Sequence, residues 1–351
     1  MDNIQFRITP RLLLSLTGVE RLAGHWEATN AKDLQSETAH YTQLYHANIT
    51  AASVAALCLD STTPANISSL LPKNWASYSP DVDLLDGKNF NELSSALTSP
   101  IAELDRYIAA HEIQLELKPV AIFELHRLIV GPSADPGQYR KESSSLVGPN
   151  GADLFVTTSA FMVDQRLNDL CQWVRKELSS ALLHPLIVIG IFQLLFVYIY
   201  PFKFGSHRLG LILTWHLLKD NGYEFVRYGH FIPEICRESK EYSNALIQAE
   251  KSLYGNWATL PVWLEYFTET LRRTCRSILD YRKKRTQLGQ LTSVQRLIVE
   301  VVQLKGAASR DAIARETGIN VATVKYNLTV LTQKGRLRRH GGGRTTSYSV
   351  E

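Results

Sequence analysis

The sequence predicts a mainly α protein in three parts: a helical N-terminal region, a helical core interrupted by one β-hairpin, and a C-terminal unit of three short helices and a second hairpin. Three observations carry this reading. Apolar residues recur at helical spacing through most of the chain, and only two stretches are patterned as paired strands with a tight turn. The most apolar run, Leu186 to Tyr200, is bounded by Pro185 and Pro201. Charge is segregated: Tyr281 to Glu351 holds 14 Lys and Arg against 4 Asp and Glu, net +10, whereas the other 280 residues hold 24 against 30, net −6.

A length of 351 residues is enough for two or three domains, each burying its own core. An apolar content of 45% with 21% charged residues places the chain among globular proteins and excludes a disordered one. The cysteines, Cys58, Cys171, Cys236 and Cys275, form no CxxC pair, and none stands at metal-ligand spacing from a histidine. They read as small buried hydrophobes in a reducing cytoplasm, with no metal site. The start, MDNIQFRITP, lacks a basic-then-apolar leader. The run LIVIGIFQLLFVYIY is short for a membrane span and is interrupted by Gln193, so it reads as a buried core helix.

From the N-terminus, Leu12, Leu13, Leu16, Val19 and Leu22 mark an apolar helix face, and AASVAALCL near residue 51 marks a second. Ser, Thr, Pro and Asn break the pattern around 61–82, and helical spacing returns from Phe90 to Ala110. Pro119 opens the helix VAIFELHRLIV. SSSLVGPNGADLFVTT, with its Pro-Asn-Gly turn, reads as a hairpin. Helices follow at Val163 to Leu183, through the apolar run, and at Ser206 to Lys219, the last closed by Asp220-Asn221-Gly222. Further helices run to about Leu279, and the basic run Arg282 to Arg285 ends one before a linker at Gly289 and Gln290.

Residues 291–351 have their own order. SVQRLIVEVVQLKG is an amphipathic helix closed by Gly306. Ser309 caps RDAIARETG, stopped by Gly318, and Asn320 caps VATVKYNLTVLTQKG, stopped by Gly335. Leu337–His340 and Thr345–Val350 are strand-like, joined by Gly341, Gly342 and Gly343. Three helices and a glycine-tipped hairpin make the winged helix-turn-helix pattern. In the third helix Val321, Val324, Leu328 and Leu331 form one apolar face. Thr323, Lys325 and Tyr326 lie on the other, where a helix reads the major groove. Arg338, Arg339 and Arg344 line the wing, where phosphate contact is expected. With the charge segregation, this makes double-stranded DNA the expected partner of 291–351. The competing reading is a winged helix used only for protein contacts. Since helix-turn-helix proteins read paired half-sites, a homodimer is expected.

PGQYR (Pro136–Arg140), LVGPNGADLF (Leu146–Phe155), HPL (His184–Leu186) and above all YPFKFGSHRLGLIL (Tyr200–Leu213) resemble the Fic (Fic/Doc) family. ITPRLLLSLTGVERLAGHWEA near the start, and YSNALIQAE and WLEYFTETL further on, extend the resemblance over roughly residues 5–275. It implies a helical N-terminal region at 1–115, a core at 116–285 with a β-hairpin flap at 143–158 that receives a protein target, and transfer of a nucleotide from ATP to a protein hydroxyl. The family's central motif runs HPF-x-[DE]-GNGR-x-x-R. Here its histidine, the general base, is Tyr200, whose ordinary pKa must fall by roughly 3 units, about 4 kcal/mol, to match histidine. Its acidic residue, which holds magnesium, is Phe204, and a benzyl group offers a hard cation no oxygen. Ser206, His207 and Leu211 are further departures; Pro201, Phe202, Gly205 and Arg208 remain.

Two readings stand for the remnant. Gly205, Ser206 and Arg208 at a helix N-terminus hold a nucleotide phosphate, ATP without magnesium. Alternatively Gly205 is a tight turn, Ser206 an N-cap and Arg208 an ion-pair partner. His126, His184 and His216 read as structural histidines, and His207 as wrongly directed to replace the base. The function expected is a DNA-binding regulator on a degenerate, inactive Fic scaffold. The alternative is an active Fic-type adenylyltransferase working by an altered mechanism.

Overall fold

The computed structural model describes residues 4–33, 117–130, 137–147, 153–254, 256–289, 291–342 and 346–350. AASVAALCL, the break at 61–82, the helix at 90–110, the Pro-Asn-Gly turn, Arg344 and Cys58 lie outside them. The chain divides into two compact units, Met1–Leu279 and Asp280–Glu351.

In the first unit, α1 (Pro10–Asp33) starts with proline at its first position, after Thr9, whose hydroxyl accepts from the Leu12 amide at 3.0 Å. It buries Leu12, Leu16, Val19, Ala23 and Trp26, a stripe at alternating spacings of four and three. Leu13, expected on this face, is 53% exposed, because one residue turns it about 100° from Leu12. After α2 (Pro119–Val130), strands β1 (Ser145–Val147) and β2 (Asp153–Val156) pair antiparallel, with a register shift between Leu146 and Val147. Leu146 and Phe155, opposite each other, are both buried.

Helices α3 (Val163–Ser180) and α5 (Ser206–Asp220) flank α4 (Pro185–Ile199), whose residues from Leu186 to Ile199 are all buried. A helix apolar all round needs neighbours on every side, which is the sequence expectation for this run. No helix among the described residues is long and apolar enough to cross a membrane. At the start of α4 the His184 ring accepts from the Leu186 amide at 3.3 Å, and at its end Tyr200 turns left-handed, with φ 44°. The short α6 (Phe231–Arg237) and α7 (Ser239–Ala249) lead to α8 (Leu260–Gly289), a single 30-residue helix. The basic run Arg282–Arg285 lies within its last turns.

Two close helix approaches fix this core. A Cβ on Gly190 of α4 would stand 2.9 Å from Leu264 Cδ2 and Phe267 Cδ1 of α8, and Trp263 Nε1 donates to the Gly190 carbonyl at 2.6 Å. A Cβ on Gly210 of α5 would stand 2.8 Å from Phe196 Cδ1 of α4. Neither glycine signals a turn; each is there for lack of room.

In the second unit, α9 (Ser293–Lys305), α10 (Arg310–Thr317) and α11 (Val321–Gln333) precede β3 (Leu337–His340) and β4 (Ser347–Val350), an antiparallel pair. Ala308, between α9 and α10, bridges to Tyr348 and makes a third rung. Ser309 and Asn320 cap α10 and α11 as expected, and Gly306 and Gly318 close α9 and α10 at φ 69° and 66°. Thr292 and Gln295 form a reciprocal capping box on α9, legible as T-x-x-Q. The core gathers Ile298, Val299, Val302, Ile313, Val324, Leu328, Leu331 and Leu337. The buried face of α11 departs from expectation at one end. Val321 is 42% exposed at the first turn, and Asn327 is buried, donating to the Thr323 carbonyl at 2.8 Å. An asparagine that bonds its own helix is satisfied inside a core, so polarity alone misassigns it.

Gly190→Ala is expected to destabilise the chain by about 1–3 kcal/mol, because Leu264 and Phe267 must move to admit a methyl group. Urea unfolding measures this, and a midpoint equal to the wild type would show that the α4–α8 approach is not tight.

Candidate functional site

The site expected from sequence is the segment from Tyr200 to Arg208 between α4 and α5. A helix leaves its last carbonyls without partners, and at the end of α4 nearly all of them are met by two distant strands of chain. The Thr158 amide donates to the Tyr198 carbonyl at 2.9 Å. Arg140 supplies the rest: Nη2 donates to the Ile199 carbonyl at 3.2 Å, Nε to Tyr200 at 2.7 Å, and its backbone amide to Pro201 at 3.0 Å. The same guanidinium reaches the carbonyls of Glu142, at 2.7 Å, and Thr158. Residues 140 and 158 flank the hairpin, so one buried side chain ties both its ends to the end of α4. Burial pulls the Arg140 pKa below its ordinary value, but the negative end of the helix dipole and its acceptors suit a cation.

The loop closes on itself next. Ser206 Oγ accepts from the Phe202 amide at 2.7 Å and donates to the Phe202 carbonyl at 2.8 Å. The Phe202 ring is buried and stacks on His126 of α2, with centroids 3.8 Å apart and planes 11° from parallel. His126 Nδ1 accepts from the Gly137 amide at 2.9 Å, which leaves Nε2–H to donate to the Phe204 carbonyl at 2.9 Å. Burial, with Arg208 nearby, pushes the His126 pKa down to about 4, so the ring is neutral. Gly205, at φ 70°, then turns the chain into α5.

Each sequence-predicted residue has a place here. Tyr200 is 4% exposed, with its carbonyl held by Arg140. Phe204 is half-buried, and Lys203 Nζ stands 5.6 Å from its ring centroid. The N-cap of α5 is Gly205, not Ser206, because the serine hydroxyl is already spent on Phe202. His207 is buried, its Nε2 2.7 Å from the Tyr242 hydroxyl. Arg208 is half-buried in the first turn of α5. A magnesium ion does not fit this donor set: the acid position carries a phenyl ring and the one hydroxyl beside it is engaged. Sequence reasoning missed Arg140 and the pairing of His126 with Phe204. PGQYR signalled the first; nothing in a lone histidine signals the second.

A match to a family model decides what this arrangement is related to. Residues 116–218 match the Fic/DOC family. The chain carries a Fic/DOC domain there. Among solved structures, a Fic family protein from Desulfovibrio desulfuricans G20 is similar at TM-score 0.58 and 17% identity, covering 98% of this chain and 97% of that one. A Fic domain containing signaling protein from Bacteroides thetaiotaomicron VPI-5482 matches at TM-score 0.49 and 18% identity, over 74% of this chain and 94% of its own. The first likeness shows a shared fold and nothing of chemistry. No curated protein matches the chain significantly. Within the Fic/DOC domain, α4, the Tyr200–Arg208 loop and α5 are the region where the motif and the structure meet.

The second candidate surface lies in Asp280–Glu351. Thr323, Lys325 and Tyr326 are exposed on α11, Tyr326 at 69%. Arg338 and Arg339 are exposed on β3, opposite Ser349 and Tyr348, and His340 Nε2 stands 2.7 Å from Ser349 Oγ.

Two outcomes are expected at the Fic/DOC loop. Replacing Arg140 by leucine leaves the buried carbonyls of Ile199 and Tyr200 unmet and destabilises the chain by about 2–4 kcal/mol, measured by urea unfolding; a loss under about 1 kcal/mol would deny Arg140 this role. His126, His216 and His230 all have pKa values pushed down to about 4, with burial the main cause. Unfolded, each binds a proton below about 6.5, so stability is full above that pH and falls as pH drops toward 4. Each histidine contributes a slope of up to about 1.4 kcal/mol per pH unit. Unfolding series between pH 7 and 4 should be shallower in His126→Gln; an unchanged slope would mean the ring is protonated in the fold.

Proposed function

We propose that the protein is a DNA-binding regulator whose Fic/DOC domain is a scaffold without histidine-dependent nucleotidyl transfer. The observation that carries this is the exposed basic and aromatic face of the C-terminal unit: Thr323, Lys325 and Tyr326 on α11 with Arg338 and Arg339 on β3. Three capped helices followed by a hairpin are the parts of a winged helix, and α11 takes the place of its reading helix. The net charge of +10 from Tyr281 to Glu351 suits a polyanion, and the −6 elsewhere does not.

The Fic/DOC loop supports the other half of the reading. Fic proteins usually transfer a nucleotide to a protein hydroxyl, using a histidine and a magnesium-holding acid. Here those positions carry a buried tyrosine and a phenylalanine. What the loop retains is Gly205 and Arg208 at the start of α5, a 15-residue helix whose positive N-terminal end favours an anion. The proposed role for this remnant is to bind a nucleotide phosphate as effector, without magnesium. The protein is proposed to act in the cytoplasm, as a homodimer, on double-stranded DNA.

Fluorescence anisotropy with a mixed-sequence duplex tests the DNA reading. Affinity should fall with salt, and Lys325→Ala and Arg338→Ala should each reduce the log–log salt slope by about 1. No binding at low salt, or a triple Lys325, Arg338, Arg339→Ala variant that binds as tightly as wild type, would sink it. Calorimetry with ATP, with and without magnesium, tests the remnant: binding that needs no metal and disappears in Arg208→Ala is the expected result. Transfer of label from ATP to protein, lost in Tyr200→Phe, would replace this reading by that of a transferase.

A further inference from the structure

Helix α9 carries two apolar stripes. One is the core face, Ile298, Val299 and Val302, with Gln295 buried beside them. The other is Val294, Leu297, Val301 and Leu304, spaced 3, 4 and 3, and centred roughly 130° from the first at 100° per residue. Val294 and Val301 pack at the margin of the core. Leu297 is 40% exposed and Leu304 is 86% exposed, so the unit's own core uses Leu304 hardly at all. A single exposed leucine is ordinary, but four residues at this spacing are the a and d positions of a two-heptad seam.

We infer that this stripe pairs with the same stripe of a second copy of the chain, the two α9 helices running parallel. Two features of the sequence commit the surface to that occupant. Valine falls at both a positions and leucine at both d positions, the combination that favours a parallel two-stranded coil. Glu300 then falls at g and Lys305 at e, and in a parallel pair each g faces the e position of the next heptad across the seam. Glu300 of each copy therefore meets Lys305 of the other, twice by symmetry. An antiparallel pair would set Glu300 against Glu300. Lys305 Nζ already lies 2.6 Å from Glu316 Oε1 of its own chain, and its three donors leave room for a second carboxylate.

The seam is short, and stable interfaces usually bury on the order of 1,200 Å² or more, so pairing is micromolar rather than nanomolar. This inference names the surface for the dimer proposed above. Its test runs without DNA, so it stands or falls separately from the DNA reading.

Sedimentation equilibrium of the full chain across the micromolar range should show a reversible monomer–dimer exchange. Leu304→Glu should weaken it tenfold or more while leaving the melting temperature measured below the association range unchanged, since that side chain packs against little in the monomer. Glu300→Lys and Lys305→Glu should each weaken self-association. An equimolar mixture of these two variants should regain it, because every charged contact across the seam then joins a lysine of one variant to a glutamate of the other. A wild-type chain that stays monomeric throughout, a dimer indifferent to Leu304→Glu, or a mixture no tighter than its components would overturn the inference.

Discussion

The buried guanidinium of Arg140 holds together the part of the molecule where the Fic/DOC motif lies. It donates to the carbonyls of Ile199 and Tyr200 at the end of α4, and to Glu142 and Thr158 at the two ends of the hairpin. The Ile199 and Tyr200 carbonyls would otherwise be buried acceptors short of a partner, each a cost comparable to a lost hydrogen bond. The position of the hairpin, the left-handed turn at Tyr200 and the path of the loop into α5 all depend on this one cation being satisfied in every direction.

Around that anchor the loop is held by a histidine, a stacked phenylalanine and a serine. His126 grips the Phe204 carbonyl and stacks on Phe202, and Ser206 bonds both backbone groups of Phe202. These contacts fix the path of the loop from Tyr200 to Arg208. Its shape is a property of carbonyl acceptors, a stacked ring, the Ser206 clasp and a glycine turn.

The C-terminal unit divides its apolar residues by a different rule. Ile298, Val302, Ile313, Val324, Leu328 and Leu331 are consumed by one small core, and Ala308 with Tyr348 ties the hairpin to the helices. What is left outside is a basic and aromatic face on α11 and β3, and Leu297 and Leu304 on α9. A small unit has little core to fill, so apolar residues beyond that need point elsewhere.

Sequence alone determined what depends on neighbours within a few residues. Pro10, Pro119 and Pro185 start helices, Ser309 and Asn320 cap them, and Gly306, Gly318 and Asn221-Gly222 end them, since capping and left-handed turns are local chemistry. Helix α4, apolar all round but for Gln193, was legible as a buried helix because no other arrangement hides every side. The departures of Tyr200 and Phe204 from the Fic pattern were likewise plain in the letters. Only the tertiary structure decided which side chains hold the loop. Arg140 and His126 act on carbonyls some 60 and 78 residues away, and backbone carbonyls leave no trace in a sequence. It also turned Ser206 from helix cap to loop clasp, buried Asn327, exposed Val321 and Leu13, and gave Gly190 and Gly210 their reason. Each of these follows from what packs opposite a residue, which periodicity along one chain segment does not contain.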